Sequence, residues 1–368
     1  MLNARKLLMP ETSLPWQLDQ IDCQRLIDDK GYASEAALHR VALIDENHQL
    51  NTSCGEIRKR VLPYKSLNKG YPIAFSKVVH TDYFFLEQQL AFTYSEENWY
   101  CFALDKRSSV SFRRKLKTLS TCLPNVLLSN GDSTGRDQSQ AHMDCLRRLE
   151  HKHWEYVILM NNHDIIVKTN DELAMIFQAL NGTNDIEYEW CPEEDCPSEL
   201  EANLGKLDLC PKHINRKDAR KCRAKNVTWG KGANQVSLTK KTVAYILNEI
   251  NVTPFLTQLN RFVPELHDCP TTYEQKFVCI LGVEDLAELS RVPQILANTV
   301  RPNFDYGIIK CIGELLFNRS HGIQKNGLQM DFYANLHMKE LEPVTSKSKI
   351  SSHKLWINRN PERNGRPL

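Results

Sequence analysis

The sequence lacks an apolar run of the length that a membrane span requires. A transmembrane helix needs about 20 consecutive, mostly apolar residues. Residues 1–23, MLNARKLLMPETSLPWQLDQIDC, hold no such run, and they hold no signal-peptide core followed by a cleavage site. No membrane anchor is therefore predicted within the printed sequence.

The sequence also lacks an excess of charge of either sign. It has 47 Lys and Arg residues against 45 Asp and Glu residues, a formal net charge of +2. This balance gives no electrostatic reason to expect nucleic acid or an anionic membrane as a partner, so any basic site must be local. With 368 residues, 41% of them apolar and 25% charged, the chain is predicted to fold around one large core or two modest ones.

Cysteine pairs of the Cys-x-x-Cys type, which are typical of zinc sites, are missing as well. The 12 cysteines are instead spread along the chain, which favours disulfide bonds over a metal site or a reduced cytosolic protein. Five Asn-x-Ser/Thr tripeptides jointly support an oxidising lumenal compartment, although Pro254 weakens the fourth of them. They begin at Asn51, Asn181, Asn226, Asn251 and Asn318.

From residue 71 onward, runs rich in β-branched and aromatic residues alternate with stretches that carry apolar residues at helical spacing. This alternation predicts an α/β fold, with a mostly parallel sheet and helices on both of its faces. The predicted strands are 71–80, 99–104, 124–128, 154–160, 233–238 and 277–281, and the predicted helices are 82–92, 108–119, 141–150, 169–180 and 241–249, with a last helix through Ser290.

Ligands of such a sheet bind beyond the carboxyl ends of its strands. Asp105 ends the segment WYCFALD, and Asn161 to Asp164 end the segment WEYVILMNNHD. Both segments are therefore predicted to lie where a nucleotide binds.

The chain divides into regions of different composition. Residues 1–70 are predicted to form an irregular, helix-containing stem, and residues 71–335 the main folded domain. Within that domain, residues 184–230 are rich in charge, Pro and Cys, which indicates a loop insert closed by disulfides. Residues 340–368 are rich in Ser, Lys, Arg and Pro and are predicted to be a disordered basic tail.

Six blocks occur in the order, and at nearly the spacing, of one known enzyme family. They are YPIAFSKVVHTDYFFLEQQLAFTYSEENWYCFALD, LSTCLPNV, AHMDC, WEYVILMNNHDIIVKTNDELAMIFQALNGTNDIE, KGANQVSLTKKTVAYIL and VCILGVEDLAEL. From roughly Asp22 to Ser320 the sequence resembles the core-2/I-branching β-1,6-N-acetylglucosaminyltransferases, most of all their invertebrate branch.

The resemblance implies a GT-A-like fold, stabilised by disulfides, in a type II Golgi membrane protein whose catalytic domain faces the lumen. It implies transfer of N-acetylglucosamine from UDP-GlcNAc to a glycan or glycoprotein acceptor, with inversion at the sugar and without a metal or other cofactor. Nucleic acid is not an expected partner, and the membrane is expected only through an N-terminal anchor that the printed sequence does not contain. No Asp-x-Asp motif, which binds the metal in most GT-A enzymes, follows a predicted strand.

The donor side of the site is carried over by position. The resemblance implies that Asp105 contacts the uridine and that Val78 lies beside the base, although the residue type of Asp105 alone would equally suit a helix N-cap. Two basic residues of the family stabilise the departing diphosphate. The first corresponds to Lys276, and the second falls at the uncharged Thr299, with Arg301 near enough to replace it.

On the acceptor side, Glu187 aligns with a glutamate that binds the acceptor sugar, and a surface carboxylate is the competing interpretation. Asp164 is interpreted as a structural or site-shaping residue, and His163 as a packed or solvated residue rather than a catalyst.

The resemblance also implies four disulfide pairs and leaves four cysteines whose pairing stays open. The implied pairs are Cys23 with Cys311, Cys54 with Cys122, Cys101 with Cys145, and Cys269 with Cys279. The open cysteines are Cys191, Cys196, Cys210 and Cys222, which could form two local bridges.

The segment that should carry the catalytic glutamate of the family is missing. LTQLNRF at 256–262 runs directly into VPELHDC at 263–269, where Glu265 and Asp268 stand outside the family context. The catalytic base is thus left unassigned. The alternatives are a related protein xylosyltransferase and an inactive relative that binds glycan or UDP without turnover.

Overall fold

The computed structural model describes residues 15–44, 50–62, 70–129, 138–186, 188–190, 201–227, 230–232, 235–259, 273–275, 278–324 and 327–340. Short 3-10 turns at Trp16–Gln20 and Val283–Asp285 and a π turn at Tyr245–Glu249 supplement the regular elements. The helices and strands are, in chain order, α1 (Cys23–Asp28), α2 (Lys30–Leu38), α3 (Cys54–Val61), β1 (Ile73–Val79), α4 (Tyr83–Thr93), β2 (Trp99–Leu104), α5 (Val110–Cys122), β3 (Val126–Ser129), α6 (Gln138–Leu149), β4 (Tyr156–Met160), β5 (Ile165–Ile166), α7 (Asn170–Leu180), β6 (Tyr188–Trp190), α8 (Arg216–Arg223), β7 (Gly230–Gly232), β8 (Val236–Thr239), α9 (Lys240–Ala244), α10 (Thr253–Leu259), β9 (Tyr273–Gln275), β10 (Val278–Ile280), α11 (Leu286–Leu289), β11 (Leu296–Ala297), α12 (Tyr306–Ser320) and α13 (Met330–Glu340).

The main sheet has five strands in the order β3-β2-β1-β4-β8. The first four are parallel, with Ser76 of β1 opposite Cys101 of β2 and Leu159 of β4, whereas β8 runs antiparallel to β4. All seven residues of β1 are buried, as expected for a central parallel strand covered on both faces. The predicted α/β fold with a mostly parallel sheet is confirmed.

The flanking helices begin where the sequence supplies caps and bury the apolar stripe that their spacing predicts. In α5 the Ser109 hydroxyl accepts a hydrogen bond from the Phe112 N–H, and the buried positions include Leu116 and Leu119. The helix α7 begins with a capping box formed by Thr169 and Glu172. Apolar clusters on both faces of the sheet complete the core.

The described part of the predicted stem contributes to the hydrophobic core. Leu18 and Leu26 are almost fully buried in a cluster that also holds Ile308 and Ile312 of α12. Lys310 of α12 donates hydrogen bonds from Nζ to two carbonyl oxygens of the same N-terminal segment, at 2.9 and 3.0 Å. The N-terminal helices α1 and α2 are therefore held on the C-terminal helix by packing and by directed hydrogen bonds.

Four disulfide bonds join described cysteines. Three are pairs that the resemblance predicted, and the fourth, Cys210–Cys222, resolves one of the open pairings. Cys279 is also disulfide-bonded, but its predicted partner Cys269 lies outside the described residues, as do Cys191 and Cys196. The three predicted pairs are Cys23–Cys311, Cys54–Cys122 and Cys101–Cys145.

The Cys-rich insert predicted at 184–230 contains more regular structure than its sequence pattern indicates, because it includes β6, the two-turn helix α8 and the first residue of β7. The predicted tail from residue 341 onward lies outside the described residues. Among the described residues, no helix combines the length and the apolar character that crossing a bilayer would demand.

Candidate functional site

The order of the strands creates a crevice at one end of the sheet. From β1 the chain moves outward to β2 and β3, and it then crosses back to β4 on the other side of β1. The carboxyl ends of β1 and β4 therefore diverge at a topological switch point, which is where open α/β sheets bind their ligands. We call the side chains gathered there the strand-tip cluster, which consists of His80, Asp82, Asp105, His163 and Asp164.

An asparagine joins the two strand ends. The Asn162 side-chain oxygen, just after β4, accepts hydrogen bonds from the backbone N–H groups of His80 and Thr81, just after β1, at 2.7 and 3.3 Å. These bonds fix the spacing of the two backbones at the mouth of the crevice, because one oxygen holds both donors.

His163 and Asp82 form a pair across the crevice. The His163 Nε2 atom lies 2.7 Å from Asp82 Oδ2, and the two side chains are 19% and 17% exposed. Asp82 precedes α4 in the left-handed conformation, with φ of 58°, and its carboxylate makes no capping bond to that helix. The carboxylate is therefore available to orient the imidazole ring.

Two further rings enclose His163. The His80 ring meets it edge-on, with ring centroids 6.0 Å apart, and the Phe85 ring stacks against it at 6.1 Å. Burial lowers the pKa of His80, and the nearby His163 and Arg107 lower it further. His80 is thus poised to be neutral in the unliganded protein at neutral pH.

Asp105 follows β2 and is held by Arg107. Its carboxylate oxygens accept hydrogen bonds from Arg107 Nε at 3.0 Å and from an Arg107 Nη at 2.8 Å, while its backbone N–H donates to the Val79 oxygen at 3.0 Å. Burial acts to raise the pKa of Asp105, but the hydrogen bonds and charge of Arg107 outweigh it and keep that pKa below its usual range. Asp105 is therefore ionised and fixed beside the end of β1.

Asp164 links three separate parts of the chain. Its carboxylate accepts hydrogen bonds from the Asn161 N–H at 2.5 Å, from Gln235 Nε2 at 3.1 Å and from the Asn298 side-chain amide. Gln235 directly precedes β8, and Asn298 directly follows β11. Burial raises the pKa of Asp164, and these donors and Lys77 counter the rise.

A buried lysine, Lys77, forms a hydrogen bond to the backbone of Asp164. The Lys77 Nζ of β1 donates to the Asp164 carbonyl oxygen at 2.9 Å and also to the Gln89 side chain, which itself donates to that carbonyl at 2.8 Å. Burial lowers the pKa of Lys77 to about 7. This lysine faces the interior, so it serves to hold the strand ends rather than to meet a ligand.

The segment after β11 is tied to both the crevice and β10. The Val300 N–H donates to the His163 carbonyl oxygen at 3.0 Å, and the Thr299 N–H donates to the Cys279 carbonyl oxygen at 3.2 Å. Thr299 is 5% exposed, and Arg301 is half-buried. Arg301 therefore follows directly after a backbone segment bonded to His163.

The structure describes some of the predicted site residues and not others. Val78 lies on β1, and Asp105 directly follows the neighbouring strand β2. Val78 is only 5% exposed because its side chain belongs to the apolar cluster on one face of the sheet. Four predicted or discussed positions lie outside the described residues, namely Glu187, Glu265, Asp268 and Lys276.

The site also contains residues that the sequence reasoning missed. His80 is the last residue of the predicted strand 71–80 and Asp82 the first residue of the predicted helix 82–92, so their position at a strand end was a usable indication. Gln235 and Asn298 had none, because each reaches Asp164 from an element far away in the chain.

The predicted glycosylation sites differ in exposure. Asn51, Asn181 and Asn226 are exposed, whereas Asn318 is half-buried within α12. The Asn251 amide donates to Asp208 Oδ2 at 2.8 Å. Modification of these residues stays a prediction, for which the three exposed asparagines are the sterically simplest positions.

Comparison with known proteins identifies the family. A family model described as Core-2/I-Branching enzyme matches residues 73–284, which include all five strands of the main sheet. The chain is similar to β-1,3-galactosyl-O-glycosyl-glycoprotein β-1,6-N-acetylglucosaminyltransferase 4 of Danio rerio, with 23% identity over 370 residues that cover 82% of this chain and 85% of the relative.

Two shorter alignments have a higher sequence identity. The enzyme 3 of the same name from Rattus norvegicus is 30% identical over 137 residues, 36% of this chain and 31% of the relative. The N-acetyllactosaminide β-1,6-N-acetylglucosaminyl-transferase of Homo sapiens is 30% identical over 121 residues, 31% of this chain and 30% of the relative. These two alignments thus span about a third of the relatives' length. Because the family match covers more than half of the chain and its central sheet, this protein belongs to the core-2/I-branching enzyme family.

Proposed function

We propose that this protein transfers N-acetylglucosamine from UDP-GlcNAc to a glycan acceptor, forming a β-1,6 branch with inversion at the sugar and without a metal ion. The observation that carries the proposal is the family match over the sheet whose switch-point crevice holds the strand-tip cluster. The names of the similar proteins describe β-1,6-N-acetylglucosaminyltransferases.

The nucleoside is proposed to bind beside β1 and β2. Asp105 is ionised at the carboxyl end of β2, where its oxygens can accept hydrogen bonds from ribose hydroxyls or from the base. Arg107 already supplies two donors to Oδ1, its backbone N–H at 2.8 Å and its Nε at 3.0 Å, and one donor to Oδ2. The second lone pair of Oδ2 is therefore the acceptor position proposed for the nucleoside. Val78 is the proposed neighbour of the base, with 5% of its surface exposed.

The departing UDP develops negative charge, which fixed cations can stabilise in place of a metal ion. Lys276 and Arg301 are the proposed cations. The link from Val300 to His163 supports this role for Arg301, since it ties the segment that precedes Arg301 to the strand-tip cluster. Arg107, His80 and His163 add hydrogen-bond donors at the same end of the sheet.

The acceptor hydroxyl must lose a proton as it attacks the anomeric carbon, while the bond between that carbon and the UDP oxygen breaks. Glu187 is the proposed contact to the acceptor sugar. The base is not assigned, because Glu265 and Asp268 stand outside the family context. General-base catalysis supplies roughly 10²- to 10⁴-fold in rate, so a chain without a base would bind UDP but turn over slowly.

The proposed location is the lumenal side of the Golgi membrane. The disulfide bonds support an oxidising compartment, and the three exposed glycosylation sites are consistent with entry into the secretory pathway. Expression in animal cells followed by removal of N-glycans tests this location. An increase in gel mobility is expected, and unchanged mobility contradicts it.

The activity is tested with purified protein, UDP-GlcNAc and a core-1 disaccharide acceptor in EDTA. A trisaccharide with a β-1,6 linkage, identified by NMR, is the expected product. Product that forms only when Mn²⁺ replaces EDTA overturns the metal-independent part of the proposal. UDP binding by calorimetry without any product identifies a non-catalytic relative, and transfer from UDP-xylose to a serine peptide identifies a xylosyltransferase.

A further inference from the structure

A short segment has a larger net positive charge than the whole protein. Residues 210–227 contain seven Lys and Arg residues and one carboxylate, a formal charge of +6, whereas the whole chain has +2. The remaining residues therefore have a net charge of −4. The seven basic residues are Lys212, Arg216, Lys217, Arg220, Lys221, Arg223 and Lys225.

Five of these residues lie on α8, and they form one surface, which we call the basic face (Arg216, Lys217, Arg220, Lys221 and Arg223). With about 100° between successive residues, the three arginines fall within an arc of about 60°, and the two lysines both lie on one side of that arc. All five are exposed, whereas Ala219 and Cys222 on the opposite side are half-buried.

The helix is held rigidly on the protein. The Cys210–Cys222 disulfide closes the segment, and the Asn215 side chain caps α8 by accepting from the Asp218 N–H at 3.0 Å. Asn203 Nδ2 donates to the Arg223 carbonyl oxygen at 3.0 Å. A Cβ atom at Gly205 would lie 2.9 Å from the Arg223 Cβ, so only glycine allows this close approach.

Two further backbone bonds attach the flanks. The Leu204 N–H donates to the Lys225 oxygen at 2.9 Å, and the Lys212 N–H donates to the Glu249 oxygen at 2.7 Å. A fixed array of cations loses little conformational entropy when an anion binds, which favours affinity.

The cations have no acidic partners in the part of the chain that the structure describes. None of the seven forms a salt bridge there, and the one carboxylate of the segment, Asp218, accepts a hydrogen bond from Asn215 Nδ2 at 2.7 Å. Surface cations are normally interspersed with acids, so an array with no acidic partner among the described residues indicates an anionic ligand.

The residue types favour a particular class of anion. A membrane-binding helix needs an apolar face, and α8 has no buried residue and no large exposed apolar side chain. A folded protein partner would be expected to bury aromatic or aliphatic anchors, which the described part of this segment equally lacks. Arginine forks are well suited to anions with several oxygen atoms, and the three arginines span about 10 Å of helix axis.

We propose that the basic face binds a sulfated glycan chain. This binding is additional to the proposed transfer reaction and does not depend on it. Each guanidinium would donate to the oxygens of one sulfate group, and Lys217 and Lys221 would strengthen the attraction from the side.

Heparin serves as the sulfated probe. The full chain is expected to bind immobilised heparin at physiological ionic strength, about 0.15 M, where surface interactions beyond about 8 Å are screened. The triple variant R216Q/R220Q/R223Q is expected to bind at least tenfold more weakly and to elute at lower salt. Failure of the wild type to bind at this ionic strength overturns the proposal.

A matched variant separates the basic face from net charge. R114Q/K117Q/R148Q removes the same charge from three exposed basic residues elsewhere and should change heparin affinity by less than twofold. Equal loss in both triples would mean that only net charge matters, which contradicts the proposal. Circular dichroism and thermal unfolding verify that each variant is folded.

Competing anions identify the ligand class. Sulfated chondroitin should compete with heparin, whereas unsulfated hyaluronan, polyglutamate and phosphatidylserine vesicles should compete at least tenfold more weakly. Equal competition by polyglutamate or by vesicles would overturn the assignment to sulfated glycans.

Discussion

The Asp82 carboxylate and the His163 imidazole meet across the crevice between β1 and β4, with 2.7 Å between Oδ2 and Nε2. This contact fixes the orientation of the imidazole ring at the mouth of the crevice. The two residues are 81 positions apart in the sequence. Under the proposed function, the His163 ring is one of the groups that face the donor diphosphate.

Replacement of His163 by Ala is expected to weaken UDP binding about tenfold, because one charge-assisted hydrogen bond contributes roughly 1.5–3 kcal/mol. Asp82→Asn should have a smaller effect, since the ring stays and Asn tolerates the left-handed backbone at this position. Isothermal titration calorimetry with UDP measures both. The exposed His151→Ala is the control, and equal affinity of the His163 variant and wild type would exclude His163 from the binding site.

Asp105→Asn is expected to raise the KM for UDP-GlcNAc about tenfold with a smaller change in kcat, because the proposed contact is to the nucleoside and not to the reacting atoms. Steady-state kinetics at saturating acceptor measure the two constants. Arg107→Gln should raise KM by a lesser factor, since it frees the carboxylate from its orienting partner without removing it. An unchanged KM in Asp105→Asn would leave Asp105 with only its structural contact to Arg107.

The carboxyl of Asp285 predicts a pH dependence of stability. Burial raises its pKa to about 7, and the nearby charges of Glu284 and Glu288 contribute to the rise. The folded state therefore binds more protons than the unfolded state between about pH 4 and 7, so the Asp285 contribution is fully present below that window and is lost as pH rises through 7.

Asp285→Asn removes this titration while its side-chain oxygen can still accept from the Gly282 N–H. Relative to wild type, the variant is expected to gain on the order of 1 kcal/mol of unfolding free energy between pH 5 and pH 8. Urea unfolding at the two pH values measures the difference. His142, whose pKa burial lowers to about 4, titrates in the opposite sense in both proteins and cancels in the comparison. A constant difference between variant and wild type would show that Asp285 is already charged at pH 5.

The disulfides should differ in their contribution to stability. The separation is 288 residues for Cys23–Cys311 and 12 residues for Cys210–Cys222, and loop entropy predicts contributions of about 6 and about 3 kcal/mol. Paired Cys→Ala variants of each bond, compared by urea unfolding, test this order. A larger loss from the short bridge would mean that native contacts, and not chain entropy, dominate.

The resemblance to the family carried information that local pattern could not supply. Alternating runs predicted β1 to β4 and their helices because hydrophobic period is a local property of the chain. The pairing of Cys23 with Cys311 came from the resemblance alone, since spacing does not determine connectivity. The short pair β5 and β11 was missed, because two-residue strands have no readable period.

The sequence by itself determined the α/β architecture and the strand ends at which Asp105 and His163 lie. Only the tertiary structure decided which side chains meet there. The Asp164 carboxylate accepts hydrogen bonds from Gln235 and Asn298, which lie 71 and 134 residues away in the sequence. These contacts depend on the order of the strands and on buried hydrogen bonds. Hydrophobic periodicity and helix capping depend on residues a few positions apart. The hydrogen-bond donors of a buried carboxylate can come from any part of the fold, so the local sequence does not predict them.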